Sequence, residues 1–176
     1  MDLSAQAEEY LQMWSRLHIN RPTTLRKAPH KAVLLLSVID LIEEGVIAIP
    51  FIPLCDLLQR RFDTNWNQYV KFKGRFDCSL HHPFYRLKSD GFWQLVPRPG
   101  EPERSSPPGS AKALKERYFG AEIPEPLFRI LQDPGYRHVF RTLLIDTYLT
   151  PDPGLSGMQI AAEGLLGIAM LLVAGA

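Results

Sequence analysis

From Ala32 to Ile42 the chain reads Ala-Val-Leu-Leu-Leu-Ser-Val-Ile-Asp-Leu-Ile, and only Ser37 and Asp40 interrupt the apolar run. A helix built from it is apolar on nearly every side, so it must be covered on nearly every side. The chain is thereby committed to wrapping its other elements around one central helix. The bounds of that helix are marked. Pro29 suits the first helical position, where no N–H is needed, and Gly45 suits a left-handed residue past the last turn. The charge at its start is not explained by packing. Arg26, Lys27, His30 and Lys31 crowd an end whose free N–H groups already favour anions. The pattern predicts a negative partner, and a bound phosphate is the natural one.

The remaining chain supplies the wrapping. Leu3, Ala7, Tyr10, Leu11, Trp14 and Leu17 recur at three- and four-residue spacing, which predicts an amphipathic helix over 3–17. A polar loop, 18–27, leads to the central helix. Val46–Ile52 reads as a short strand limited by Pro50 to an edge, and Pro53 opens a second helix over 54–62. From Asn65 to Phe76 aromatic and basic residues interleave, including Trp66, Tyr69, Lys71, Lys73 and Arg75. That mixture fits a sheet edge or a surface on which bases stack and phosphates are neutralised. Phe84–Lys88 and Phe92–Val96, joined by Ser-Asp-Gly, give the clearest hairpin signal. Prolines and glycines exclude regular structure from 97–109. Helices follow near 111–118, 125–131 and 136–148.

Together these predict an α+β fold, mostly helical, with a helical core and a small antiparallel hairpin or sheet in a layout like a winged helix. One domain spans 1–150 and contains the proline-rich loop. The stretch 151–176 is an apolar tail, and its last twelve residues carry no polar side chain. Twelve residues fall short of the roughly twenty that cross a bilayer, so no membrane anchor is expected. The tail reads as a buried terminal helix, an oligomer contact or a connection to a further domain.

The net charge of +1 hides an asymmetry: residues 16–88 carry +6 and the rest of the chain −5. The basic half is where a nucleic acid would sit. Two cysteines, Cys55 and Cys78, lack disulfide or zinc spacing, and the polar N-terminus predicts no secretion leader, which fits a reducing cytoplasm. Asp77, Cys78, His81 and His82 are ligand types without a second ligand pair at a recognised spacing, so no metal is expected. A proline-bounded turn holding His82 is the favoured reading.

The segment Arg26–Gly45, taken with His82-Pro-Phe-Tyr-Arg-Leu-Lys-Ser-Asp-Gly-Phe-Trp-Gln-Leu, resembles the sulfur-binding domain of modification-dependent, McrA-like type IV restriction endonucleases of bacteria. The likeness extends from about Leu3 to Tyr148, with its specific signal in those two motifs. In that family the domain recognises DNA whose backbone carries a phosphorothioate. The resemblance implies that Pro29 and Ala32 line a small apolar sulfur cavity. Where family members have an aromatic residue before this proline, Ala28 stands here, so Tyr85 or His82 is expected to supply the ring. It implies DNA contacts from His30 and Lys31. The basic residues Arg26, Lys27, Lys71, Lys73, Arg75 and Arg86 would neutralise phosphates.

The physical logic runs parallel. Sulfur is larger and a poorer hydrogen-bond acceptor than oxygen, so a site preferring it offers apolar contact where a phosphate site offers donors. A proline does so, having no N–H. An oxygen pressed into the same place loses its water, at about 1–3 kcal/mol.

Three function classes follow: a reader of phosphorothioate DNA that targets a restriction system, a general winged-helix DNA binder or regulator, and a metal-dependent nuclease. Family members usually continue into a nuclease domain with a histidine and asparagine metal motif. No such motif follows Tyr148, so cleavage by this chain is not expected and no catalytic residue or cofactor is assigned. The expected partner is duplex DNA, with a second copy or a C-terminal nuclease domain as further possibilities.

Overall fold

The computed structural model describes residues 2–19, 28–70, 76–101 and 106–150; the apolar tail lies outside them. Helix α1 (Leu3–Ser15) is followed by the central helix α2 (His30–Glu43), strand β1 (Phe51–Pro53) and helix α3 (Asp56–Tyr69). Helix α4 (His81–Arg86) runs into a tight helical turn, Leu87–Asp90, and then strand β2 (Gln94–Pro97). Helix α5 (Ala111–Arg117), strand β3 (Tyr118–Glu122), helix α6 (Glu125–Gln132) and helix α7 (Pro134–Leu144) complete the domain, ending in a wide turn, Ile145–Leu149.

The apolar run behaves as its composition demands. Eleven residues of α2, from Lys31 to Ile42 with Asp40 excepted, are buried, and α3, α4, α6 and α7 pack around them. The two interruptions are where the wrapping is stitched. Ser37 donates to the Val33 carbonyl at 2.8 Å, and Asn65 of α3 donates to Ser37 Oγ at 3.2 Å and to Asp40 Oδ2 at 2.7 Å. Arg141 of α7 closes the seam with one nitrogen on Asp40 (2.5 Å) and the other on Glu43 (2.8 Å). Polar groups on a buried helix thus choose its neighbours, since each left unpaired costs about 1–3 kcal/mol. Helix α1 is tied to the turn after α7 by the Tyr148 hydroxyl, which accepts from the Leu17 N–H and donates to the Trp14 carbonyl. Burial pushes that phenol up to about 12.

The fold is the expected α+β type, and β1 and β2 lie at the ends of two segments expected as strands, but they do not pair as expected. The sheet order is β1-β3-β2, all antiparallel, and its centre is the unforeseen strand Tyr118–Glu122. Val46–Ile49 does not join it, because the Val46 and Ile47 N–H groups are used to bond the Leu41 carbonyl past Gly45, whose φ is +71°. The Phe84–Val96 hairpin is absent, and with it the wing. Leu80, Phe84 and Leu87 are separated by four and three residues, the spacing of one helix face and not of one strand face, all three are buried, and the segment folds as α4 and its turn. Gly91, at φ +85°, ends the turn and sends β2 to β3 instead. Helix α3 extends past the expected 62 to Tyr69, so Trp66 is a core residue rather than a stacking platform.

Gly120 is fixed by a close approach. A Cβ there would lie 2.3 Å from the Ile52 carbonyl oxygen and 2.7 Å from Phe51 Cζ, whereas one on Gly109 would meet nothing. Gly120→Ala should lower the unfolding free energy by about 1–3 kcal/mol in a urea titration, while Gly109→Ala leaves it nearly unchanged. Equal stability of the two variants would show that the strands separate without cost.

Candidate functional site

The start of α2, the segment after α1 and helix α4 enclose an open groove of about 780 Å³. Its apolar side is made by Ile19, Ala28, Phe76, Pro83 and Tyr85. Its polar side is made by His18, His30, Lys31, His82, Arg86, Lys88 and Ser89. The site therefore offers hydrophobic contact beside positive charge, with two of the basic side chains, Arg86 and Lys88, at an exposed rim. Lys88 is held in place: its ammonium lies 3.9 Å from the centre of the Tyr85 ring and donates to the Tyr85 hydroxyl at 2.7 Å. A cation over a ring face is attracted by the ring quadrupole, so the charge is presented from a fixed position.

The negative partner expected at the head of α2 is in part internal. Lys31 is 5% exposed, and its ammonium donates to Asp90 Oδ2 at 2.5 Å and to the His18 carbonyl at 2.6 Å. Asp90 also accepts from the His18 N–H at 2.6 Å. Lys31 thus lines the groove with its charge already met from inside, by Asp90 and the His18 carbonyl. Burial pulls its pKa down, against the opposing pull of Asp90. The pair pins three segments remote in sequence to one edge of the groove. The Ser-Asp-Gly motif, read as a hairpin turn, is where this counter-ion sits.

His30 borders the groove from inside. Its Nε2 is 2.8 Å from the Asp77 carbonyl oxygen, and its ring packs on Trp66 at 4.7 Å and edge-on to Phe76 at 5.7 Å. Burial, more than any neighbour, lowers its pKa below the ordinary histidine value. His81 and His82 stack at 4.1 Å on α4, and His81 is lowered for the same reason, with His82 adding to it. Among the described residues no three potential ligands gather to hold a metal ion, and no helix is long and apolar enough to cross a membrane.

Of the expected site residues, the structure brings His30, Lys31, His82, Tyr85 and Arg86 to one groove. Pro29 and Ala32 do not border it. Both are buried, Ala32 completely, beneath the residues that do. Their place in the wall is taken by Ala28 and by Pro83, another ring without a donor. Arg26, Lys27, Lys71, Lys73 and Arg75 lie outside the described residues. Lys27 directly precedes Ala28 in the chain, and Arg75 directly precedes Phe76. His18, Ile19, Pro83 and Asp90 were not legible as site residues. Only Pro83, opening the His-Pro-Phe-Tyr-Arg motif, carried a signal.

Neither a protein-family model nor a curated protein matches the sequence. Among solved structures, the chain superposes with the sulfur binding domain of SprMcrA complexed with phosphorothioated DNA at a TM-score of 0.64. The match covers 92% of this chain and 97% of that one at 14% identity, so what is shared is the fold.

Two outcomes follow. Asp90→Ala strands a buried ammonium and should cost about 3–5 kcal/mol of stability in urea unfolding; a loss below about 1 kcal/mol would mean Lys31 is solvated. For His30 and His81 the folded pKa lies below the unfolded one, so on acidification the unfolded chain takes up protons first. Stability is complete above about pH 6.5 and falls as the pH drops from there toward the lowered folded values. Unfolding free energies at pH 7.5 and 5.5 should show that fall, with a shallower one in His30→Gln.

Proposed function

We propose that this chain binds duplex DNA through the groove, seating one backbone phosphate there, and that it prefers a linkage whose non-bridging oxygen is replaced by sulfur. The observation that carries this reading is the composition of the groove. Ala28, Pro83, Phe76 and Tyr85 offer a soft atom apolar contact, while Arg86 and Lys88 stand at the rim to balance a charge that sulfur substitution leaves unchanged. An unmodified oxygen placed against that wall gives up its water without finding a donor, at about 1–3 kcal/mol. That penalty corresponds to roughly a 5- to 150-fold preference for sulfur. The likeness of fold to a domain solved with phosphorothioated DNA supports the same reading.

Arg86 serves affinity and the wall serves discrimination, so the two separate by substitution. Phosphate contacts bind all sequences alike and carry the salt dependence, whereas contact with the substituted atom sets the preference. The chain then acts as a recognition module, with cleavage left to another domain or protein.

The reading is tested by titrating two duplexes that differ by one sulfur, using electrophoretic mobility or fluorescence anisotropy. The wild type should favour the modified duplex. Arg86→Ala should weaken binding to both by about tenfold and lower the salt slope by about 0.9 while keeping their ratio. Equal affinity of the wild type for the two duplexes would leave a general DNA binder.

A further inference from the structure

Beyond the groove, a second cluster of basic residues continues along α5. Arg98, Lys112 and Lys115, with Ala111 and Glu116, border a shallow cleft of about 570 Å³. Arg98 is fixed, with Nε donating to the Lys115 carbonyl at 2.6 Å and its guanidinium 4.3 Å above the Phe119 ring. Arg117 is anchored by donating to the Ser106 carbonyl at 3.0 Å. Lys112 stands out, its side chain 87% exposed, with Glu116 at 3.9 Å as a loose partner. Lys115 bonds Asp56 at 2.8 Å across solvent. Exposed pairs such as these stabilise the fold by little and give way readily to a stronger anion.

The cleft is joined to the groove. Helices α4 and α5 are in contact, and the Tyr85 ring that carries Lys88 lies 6.2 Å from the Tyr118 ring, at the end of α5. Burial chiefly raises the Tyr118 phenol, and the charges of both Lys88 and Arg117 act on it in the opposite direction. Basic residues thus stand on both sides of the α4–α5 contact, Arg86 and Lys88 at the groove and Arg117, Lys115, Arg98 and Lys112 on α5 and at the cleft, with Asp56, Glu101 and Glu116 as acidic neighbours. Excess positive charge on both sides of that contact, two of its members held rigid by rings, suits the evenly spaced phosphates of a nucleic-acid strand.

We infer that this cleft is a second DNA-backbone site, engaged by the stretch of duplex flanking the one seated in the groove. The inference rests on the DNA-binding reading above but not on sulfur preference. A duplex long enough to leave the groove gains phosphate contacts at the cleft, and these carry no base or sulfur specificity.

The test uses the whole chain with unmodified and singly modified duplexes of about 8 and about 20 base pairs, chosen to fill the groove alone or to extend past it. The wild type should bind the longer duplex more tightly after correction for the number of sites. Lys112→Glu should remove most of that advantage, and the Arg98→Ala/Lys112→Glu pair should cut affinity for the long duplex about tenfold and lower its salt slope by about 2. Both should bind the short duplex as before and keep the ratio of modified to unmodified affinity. Lys112→Glu lies on an exposed side chain, so it tests the cleft even if the pair fails to fold. Wild-type affinity independent of duplex length, or a Lys112→Glu variant that keeps the full advantage, overturns the second site. Equal affinity for modified and unmodified DNA overturns the sulfur reading alone, and absence of any binding overturns both.

Discussion

Burying α2 on nearly every side is the constraint from which the rest of this structure follows. Such a helix leaves Lys31 and Ser37 almost no water and Asp40 little, so these must find partners on whatever covers them. Ser37 and Asp40 meet Asn65 of α3, Asp40 and Glu43 meet Arg141 of α7, and Lys31 meets Asp90 beyond α4. These pairs orient the wrapping that apolar contact alone leaves free, because hydrophobic attraction is non-directional and hydrogen bonds are not. The groove is a product of the same rule. The ion pair at the head of α2 brings the end of α1, the start of α2 and the turn after α4 to one edge, and the space between them stays open.

Lys31 and Arg86 show how position decides what a cation does. Lys31 sits beneath the surface with its charge met by Asp90, and its removal from water is compensated by that contact and by the His18 carbonyl. Arg86 is exposed at the rim, where solvent keeps it charged at little cost and an incoming phosphate can reach it. Counting basic residues in the sequence does not separate the two. His30 stands between these cases, packed on Trp66 and Phe76 on one side and facing the groove on the other. Its protonation bears on the fold and on the charge offered to a ligand at once.

Much of the helical architecture was legible because it follows from single-segment periodicity. The spacing of Leu3 to Leu17, the run in α2, the motif at Glu125 and the stripe from Val139 to Tyr148 each describe one helix whose burial needs no knowledge of its neighbour. The central strand of the sheet, and so its pairing, was not legible. Tyr118–Glu122 has no strong alternation, and it becomes a strand because Gly120 lets β1 approach to within contact of its backbone and β2 pairs on the other side. The region 80–90 misled for a related reason. Six or seven residues are too few to separate a period of 2 from one of 3.6, and the Asp-Gly that marked a hairpin turn instead ends a helical one.

The sequence by itself determined that one helix must be wrapped and that positive charge gathers at its beginning. These are properties of neighbours along the chain, set by hydropathy and by the missing N–H of proline. The tertiary structure decided which of those residues face outward. It withdrew Pro29 and Ala32 from the groove, brought Ala28, Pro83 and Tyr85 to its wall, and supplied Asp90 as the internal anion to Lys31. The physical reason is that exposure and ion pairing depend on contacts between segments far apart in the chain, such as His18 with Asp90, 72 residues away. No local pattern encodes that partnership.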